Sequence, residues 1–107
     1  NEIILILGDN PISRKFTNSY FKRGNLSNVW KIKKAKKISK KHSAIFPEEL
    51  VDKIIKNFSK ENDLVYDCFL GIGTTAKMAK VNNRNFIGSE ISKEYCEIAK
   101  ERLNFLI

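Results

Sequence analysis

Proline is nearly missing from this sequence: the 107 residues hold two, Pro11 and Pro47, and they are not adjacent. Histidine is represented by His42 alone, so no Cys/His cluster with metal-ligand spacing can be assembled and no metal site is expected. Cysteine is scarce as well. Cys68 and Cys96 fall inside expected secondary structure rather than in a framework, which points to a reducing compartment. The longest apolar run, Ile3 to Leu7, is far shorter than the ~20 residues that a membrane-spanning helix needs. With no signal-peptide pattern evident either, the expected address is cytoplasmic, with no membrane partner.

Acidic residues are missing from the most basic region of the sequence. Between Arg14 and Lys41 there are eleven Lys/Arg and no Asp or Glu, whereas the other positions hold nine basic and twelve acidic residues. The net charge of +8 therefore belongs to that segment, and the rest of the chain is mildly acidic. Interleaved with Phe16, Tyr20, Phe21 and Trp30, the block has the composition expected of a phosphate-backbone contact. Its candidate DNA-binding residues are Arg14, Lys15, Lys22, Arg23, Lys31, Lys33, Lys34, Lys36 and Lys37. A solubilising basic loop is the plainer alternative.

What is present in strength is a strand, a glycine loop and a helix start. Leu64-Val65-Tyr66 is a short apolar run of the kind that suits a buried strand, and Asp67 stands at its C-terminal end. Gly71 and Gly73 frame a tight loop, and a helix opens from it at Thr74. Glycines let backbone approach a ligand with no Cβ in the way. A helix start offers unpaired N–H groups and a positive dipole end, suited to a carboxylate or phosphate. Asn85 to Ile91 reads as a second strand carrying Glu90 near its end, 23 residues after Asp67, about one βαβ unit. In dinucleotide-type folds an acid in that place grips a ribose diol. The structural alternatives are a tight turn for the glycines and an ordinary surface glutamate for Glu90.

In chain order, Glu2 to Leu7 is expected to be a strand buried on both faces, ended by Gly8-Asp9-Asn10-Pro11. Phe16 to Leu26 is irregular and basic, Asn28 to Ile32 a short strand, and Lys33 to Lys41 a lysine-rich loop. A helix begins at Pro47, with Glu48, Glu49 and Asp52 at its positive end and Leu50, Val51, Ile54, Ile55 and Phe58 forming an apolar stripe. The helix from Thr74 stops at Asn82-Asn83, and a last one starts at Ser92, a natural N-cap, with Tyr95, Ile98, Ala99 and Leu103 on one side. The order αβαβα from Pro47 onward predicts an α/β fold, a parallel sheet with crossover helices. At this length it is one domain at most, with a small core.

Asp67-Cys68-Phe69-Leu70-Gly71-Ile72-Gly73-Thr74-Thr75 resembles the Asp-Pro-Phe-x-Gly-x-Gly-Thr-Thr motif of S-adenosylmethionine-dependent DNA amino-methyltransferases. His42-Ser43-Ala44-Ile45-Phe46-Pro47-Glu48-Glu49-Leu50 is similar to their His-Pro-Ala-x-Phe-Pro-x-x-Leu segment. Ile87-Gly88-Ser89-Glu90-Ile91 with Tyr95, Ile98-Ala99 and Arg102-Leu103 resembles the next motif and its helix, and Asn28-Val29-Trp30 the segment ahead of the His-Pro-Ala box. The likeness covers residues 28 to 104 in the β-type motif order; it departs at Cys68 and Ser43, where the family usually has proline.

The resemblance implies a partial Rossmann-like methyltransferase fold, mostly parallel sheet with flanking helices, preceded by an irregular basic segment. Residues 1–41 would be the end of a catalytic half plus a target-recognition and DNA-contact segment, and residues 42–107 the S-adenosylmethionine-binding half. Asp67 and Phe69 would line the cofactor cavity, and Gly71 and Gly73 would bring backbone close to it. Thr74 and Thr75 would donate to the methionine carboxylate. Glu90 would accept the ribose hydroxyls, with Ile91 against the adenine, and His42 and Phe46 would close the methionine end. For His42 a loop histidine satisfied by backbone is the alternative.

The family polarises a flipped base with Asp-Pro-Pro-Tyr or Ser-Pro-Pro-Tyr. This sequence has no such motif, so no catalytic residue is assigned. The implied protein is the C-terminal part of a site-specific methyltransferase of restriction–modification type, acting on adenine N6 or cytosine N4 and inactive by itself. Its implied partners are double-stranded DNA with a flipped target base, the missing catalytic half, and a second copy joined through an exposed sheet edge. The alternatives are a non-catalytic DNA-binding module with a vestigial cofactor fold, or one half of a two-chain methyltransferase.

Overall fold

The computed structural model describes residues 3–7, 27, 29–36 and 45–104. Helix α1, Glu48–Phe58, begins one residue after Pro47, whose carbonyl accepts from the Leu50 N–H at 3.1 Å. Glu48 and Glu49 occupy its first turn and Lys56 its last, each with the sign the helix dipole favours. Of its apolar stripe, Val51 and Ile55 are buried.

Strand β1, Leu64–Asp67, and strand β2, Asn85–Gly88, pair in parallel, Leu64 opposite Asn85 and Asp67 opposite Gly88. Helix α2, Thr74–Val81, is the crossover that a parallel pair requires. Helix α3, Lys93–Asn104, follows β2, and the Ser92 hydroxyl accepts from the Tyr95 N–H at 3.3 Å, as expected of an N-cap. The order α1-β1-α2-β2-α3 is the one read from the sequence.

The core lies on one face of the sheet. Val51 and Ile55 of α1 meet Met78 and Ala79 of α2, with Val65 and Phe86, register partners on neighbouring strands, packed beneath them. Strand side chains alternate between faces, so Leu64, Tyr66 and Ile87 point the other way and are exposed. The expected burial of β1 is therefore corrected to burial of one face: no helix among the described residues covers the other.

Two other strand expectations also fail. Residues 3–7 form no strand and their apolar side chains are exposed, because a ladder needs a partner and the described sheet consists of β1 and β2 alone. Residues 29–32 likewise form no strand. Trp30 instead turns onto α1, with Lys53 Nζ 4.9 Å from its ring centroid and its indole N–H donating to the Ser27 carbonyl at 2.6 Å. Residues 33–36 are without regular structure, as their charge density implies. The readings for Gly8 to Leu26, and for Lys37 to Lys41 within the lysine-rich loop, lie outside the described residues. Among the described residues no helix is long and apolar enough to cross a membrane.

Arg84 is buried, 6% exposed, and fastens the N-terminal end of the sheet. Its guanidinium donates to the Ser59 hydroxyl (2.9 Å), the Ser59 carbonyl (2.8 Å) and the Asn82 carbonyl (2.7 Å). Ser59 and Asn82 are the C-caps of α1 and α2, so the cation meets the negative ends of two helices. Arg84→Lys keeps the charge but cannot span three acceptors. It is expected to lower unfolding free energy by about 2 kcal/mol, read from the urea midpoint at unchanged slope.

Candidate functional site

Parallel pairing brings the C-terminal ends of β1 and β2 to the same side, and their following loops are stitched together. The Ser89 N–H donates to the Asp67 carbonyl and the Leu70 N–H to the Ser89 carbonyl, each at 3.0 Å. Ser89 Oγ donates to the Cys68 carbonyl at 3.0 Å. Crevices beyond the carboxyl ends of parallel strands are where open α/β sheets take ligands.

Asp67 organises the first loop. One carboxylate oxygen accepts from the Phe69 N–H at 3.0 Å, and the other accepts from the Thr75 hydroxyl at 2.6 Å. The second is a short, charge-assisted bond that fixes the strand end to the first turn of α2.

Glu90 lies just past β2, which ends at Gly88, so the expected seven-residue strand is four residues followed by a loop. Its carboxylate reaches across the crevice, accepting from the Gly71 N–H at 2.7 Å and from the Ser92 N–H at 2.9 Å. Backbone bonds from Ser92, then Gly71 and Ile91, hold the Glu90 carboxyl below the usual glutamate range. Glu90 and the glycine loop, 19 residues apart, are thus in direct contact.

The two glycines do different things. Gly71 has φ +58°, and a Cβ there would meet nothing closer than 4.0 Å, which leaves its backbone open on that side. Gly73, the N-cap of α2 at φ +84°, is buried, and a Cβ there would lie 2.9 Å from Ala99 Cβ. Gly73 is glycine for the approach of α3 as well as for its left-handed backbone.

The threonine hydroxyls are engaged inside the protein. Thr74 is buried and its Oγ1 accepts from Arg102 at 3.2 Å, while Thr75 donates to Asp67. The first-turn N–H groups of α2 have no acceptor within the helix. Phe69 (87% exposed), Ile91 (101%) and Phe46 stand uncovered. His42 lies outside the described residues, as do Arg14, Lys15, Lys22, Arg23 and Lys37; Lys31, Lys33, Lys34 and Lys36 are exposed. Among the described residues no His/Cys/Asp/Glu group is arranged to hold a metal ion.

Sequence reasoning missed the clamp behind the loop. Arg102 Nη1 donates to the Ile72 carbonyl at 2.7 Å, and its Nη2 lies 3.1 Å from Glu48 Oε1, the oxygen that also takes Lys77 Nζ at 2.6 Å. The one signal available was an arginine in the last helix whose opposite charge sits at the start of the first.

A family model described as N6/N4 DNA methylase matches residues 9–101. The chain belongs to that family. It is 53% identical to the orphan methyltransferase M.BamHII of Bacillus amyloliquefaciens, over 75% of this chain and 33% of that protein. It is 44% identical to the type II methyltransferase M2.LlaDCHI of Lactococcus lactis subsp. cremoris, over 74% of this chain and 30% of that protein. The crystal structure of the M1.HpyAVI–SAM complex superposes with a TM-score of 0.63 at 42% identity, covering 68% of this chain and 36% of that one. The chain thus spans about a third of the length of the curated relatives it matches.

Because Glu90 titrates below the ordinary glutamate range, the stability it lends the loop is complete above its unfolded pKa and lost as pH falls through the folded one. Thermal melts taken at successively lower pH should show an acid limb that is shallower in Glu90→Gln. Glu48, lowered chiefly by its Lys77 bond, and Asp52, whose burial is outweighed by Lys56 and Asn82, contribute to the limb that remains.

Proposed function

We propose that this chain is the S-adenosylmethionine-binding part of a site-specific DNA amino-methyltransferase, acting on adenine N6 or cytosine N4. The observation that carries the reading is the Glu90–Gly71 bond, which places an acid at the tip of one strand against the glycine loop of the other. Each carboxylate oxygen keeps a second lone pair, so Glu90 is able to hold the loop and still accept ribose hydroxyls.

The residues present fit the cofactor. The open Cβ side of Gly71 admits a ligand against backbone, and Phe69 and Ile91 offer uncovered apolar faces for a purine. Asp67 answers the positive sulfonium and amino groups, while the first-turn N–H groups of α2, at Thr74 and Thr75, answer the carboxylate. His42 and Phe46 would close the methionine end. When bound, the cofactor supplies the transferable methyl group; these residues orient it and exclude water from one side.

Duplex DNA with a flipped target base is the proposed substrate, held through the basic block from Arg14 to Lys41. The exposure of Lys31, Lys33, Lys34 and Lys36, on a segment pinned to α1 through Trp30, supports this role. The sequence contains no Pro-Pro-Tyr, so the chemistry of base activation is assigned to a further catalytic part, on the same chain or another. The bare face of Leu64, Tyr66 and Ile87, and strand edges that no other strand pairs among the described residues, favour such a partner, or a second copy. We place the protein in the cytoplasm.

Calorimetry with S-adenosylhomocysteine tests the cofactor reading: the chain should bind it, and Glu90→Ala should weaken binding by about tenfold or more. A folded chain with no affinity would end the proposal. For DNA, replacing Lys31, Lys33, Lys34 and Lys36 together by Gln should reduce the slope of log affinity against log salt by ~0.9 for each phosphate that is no longer neutralised. An unchanged slope would remove these lysines from the interface.

A further inference from the structure

Two arginines are largely withdrawn from solvent in this fold, and the helix dipole treats them oppositely. Arg84 meets the C-terminal ends of α1 and α2, the negative ends, where a cation is stabilising. Arg102, with a side chain 15% exposed, sits at the other end. Its guanidinium lies against Ile72 and Thr74 at the start of α2 and against Glu48 at the start of α1. Both are positive helix ends, which disfavour a cation. Lys77 Nζ joins the same carboxylate at 2.6 Å, so two cations share one anion and the cluster keeps a net charge of about +1. The helix ends by themselves account for the acid, Glu48, but not for the two cations that outnumber it. Positive charge gathered behind a positive helix end is the arrangement that attracts an anion in front of it.

We propose that Arg102 is a positioning residue of the cofactor site, setting both the shape of the Gly71–Thr74 turn and the positive potential that receives the carboxylate of the ligand's amino-acid end. This rests on the cofactor reading above. Its bond to the Ile72 carbonyl fixes the peptide that leads into Gly73, and its bond to Thr74 Oγ1 fixes the buried side chain at the helix start. The N–H groups of the first turn are left to meet the carboxylate, with the guanidinium charge behind them. Asp67, held by Thr75 one position further on, supplies the opposite sign. An acid and a half-buried cation on neighbouring threonines match the zwitterionic end of an amino acid.

The test compares two ligands that differ only at that end: S-adenosylhomocysteine, and 5′-methylthioadenosine, which lacks the amino-acid group. Dissociation constants are measured by calorimetry on the full chain, with folding checked by circular dichroism. Arg102→Gln, neutral but still hydrogen-bonding, should weaken S-adenosylhomocysteine by about tenfold and 5′-methylthioadenosine by no more than about twofold. Arg102→Lys should recover most of the affinity because it restores the charge. Arg84→Lys, which loosens the fold from the opposite end, should leave both constants unchanged. Equal weakening of the two ligands, or none, would overturn the proposal and leave Arg102 a structural residue. If the unaltered chain binds neither ligand, the cofactor reading falls and takes this inference with it.

Discussion

The parallel register of β1 and β2 is the constraint on which everything else rests. An antiparallel pair would put the end of one strand beside the beginning of the other, and Asp67 and Glu90 would stand at opposite edges. Pairing Asp67 with Gly88 in parallel carries both acids to the same side. It also obliges the chain to return through α2, which delivers a helix start to the crevice. The carboxylates then shape the loops before any ligand arrives, Asp67 on Phe69 and Thr75, Glu90 on Gly71 and Ser92. Loop shape and ligand chemistry are set by the same side chains.

From Pro47 onward the architecture was legible because local signals agreed with one another. The stripe of α1, the glycine break, Asn82-Asn83 and the Ser92 cap each mark a boundary that the fold keeps within a residue or two. Asn83 sits at φ 60°, a left-handed conformation that asparagine tolerates, which is why it stops α2. Asp67 ends β1 and Glu90 follows the end of β2, positions that strand length and spacing indicate. Their hydrogen-bond partners were not legible, since spacing tells where a side chain is and not what it holds. The same limit hid Arg102, whose acceptors lie 28 to 54 positions away in the sequence.

The misread segments share one cause. Ile3 to Leu7 has strand composition, but composition reports the environment a segment suits and cannot furnish the neighbour that completes a ladder. Residues 29–32 alternate well enough for a strand, yet Trp30 found a cation and a carbonyl on its own side and turned onto α1. The bare face of Leu64, Tyr66 and Ile87 is the counterpart of the first error: side chains chosen for burial, with the covering layer not among the described residues.

The Glu48–Arg102 ion pair joins residues 54 positions apart, whereas β1 and β2 meet across about 21. Closing the longer loop costs more chain entropy, so the strand pair and its crossover are free to assemble first. During synthesis, Arg102 is also the last of the network to leave the ribosome. The glycine turn would therefore exist for a time without its clamp, pliable until α3 docks and sets its final form.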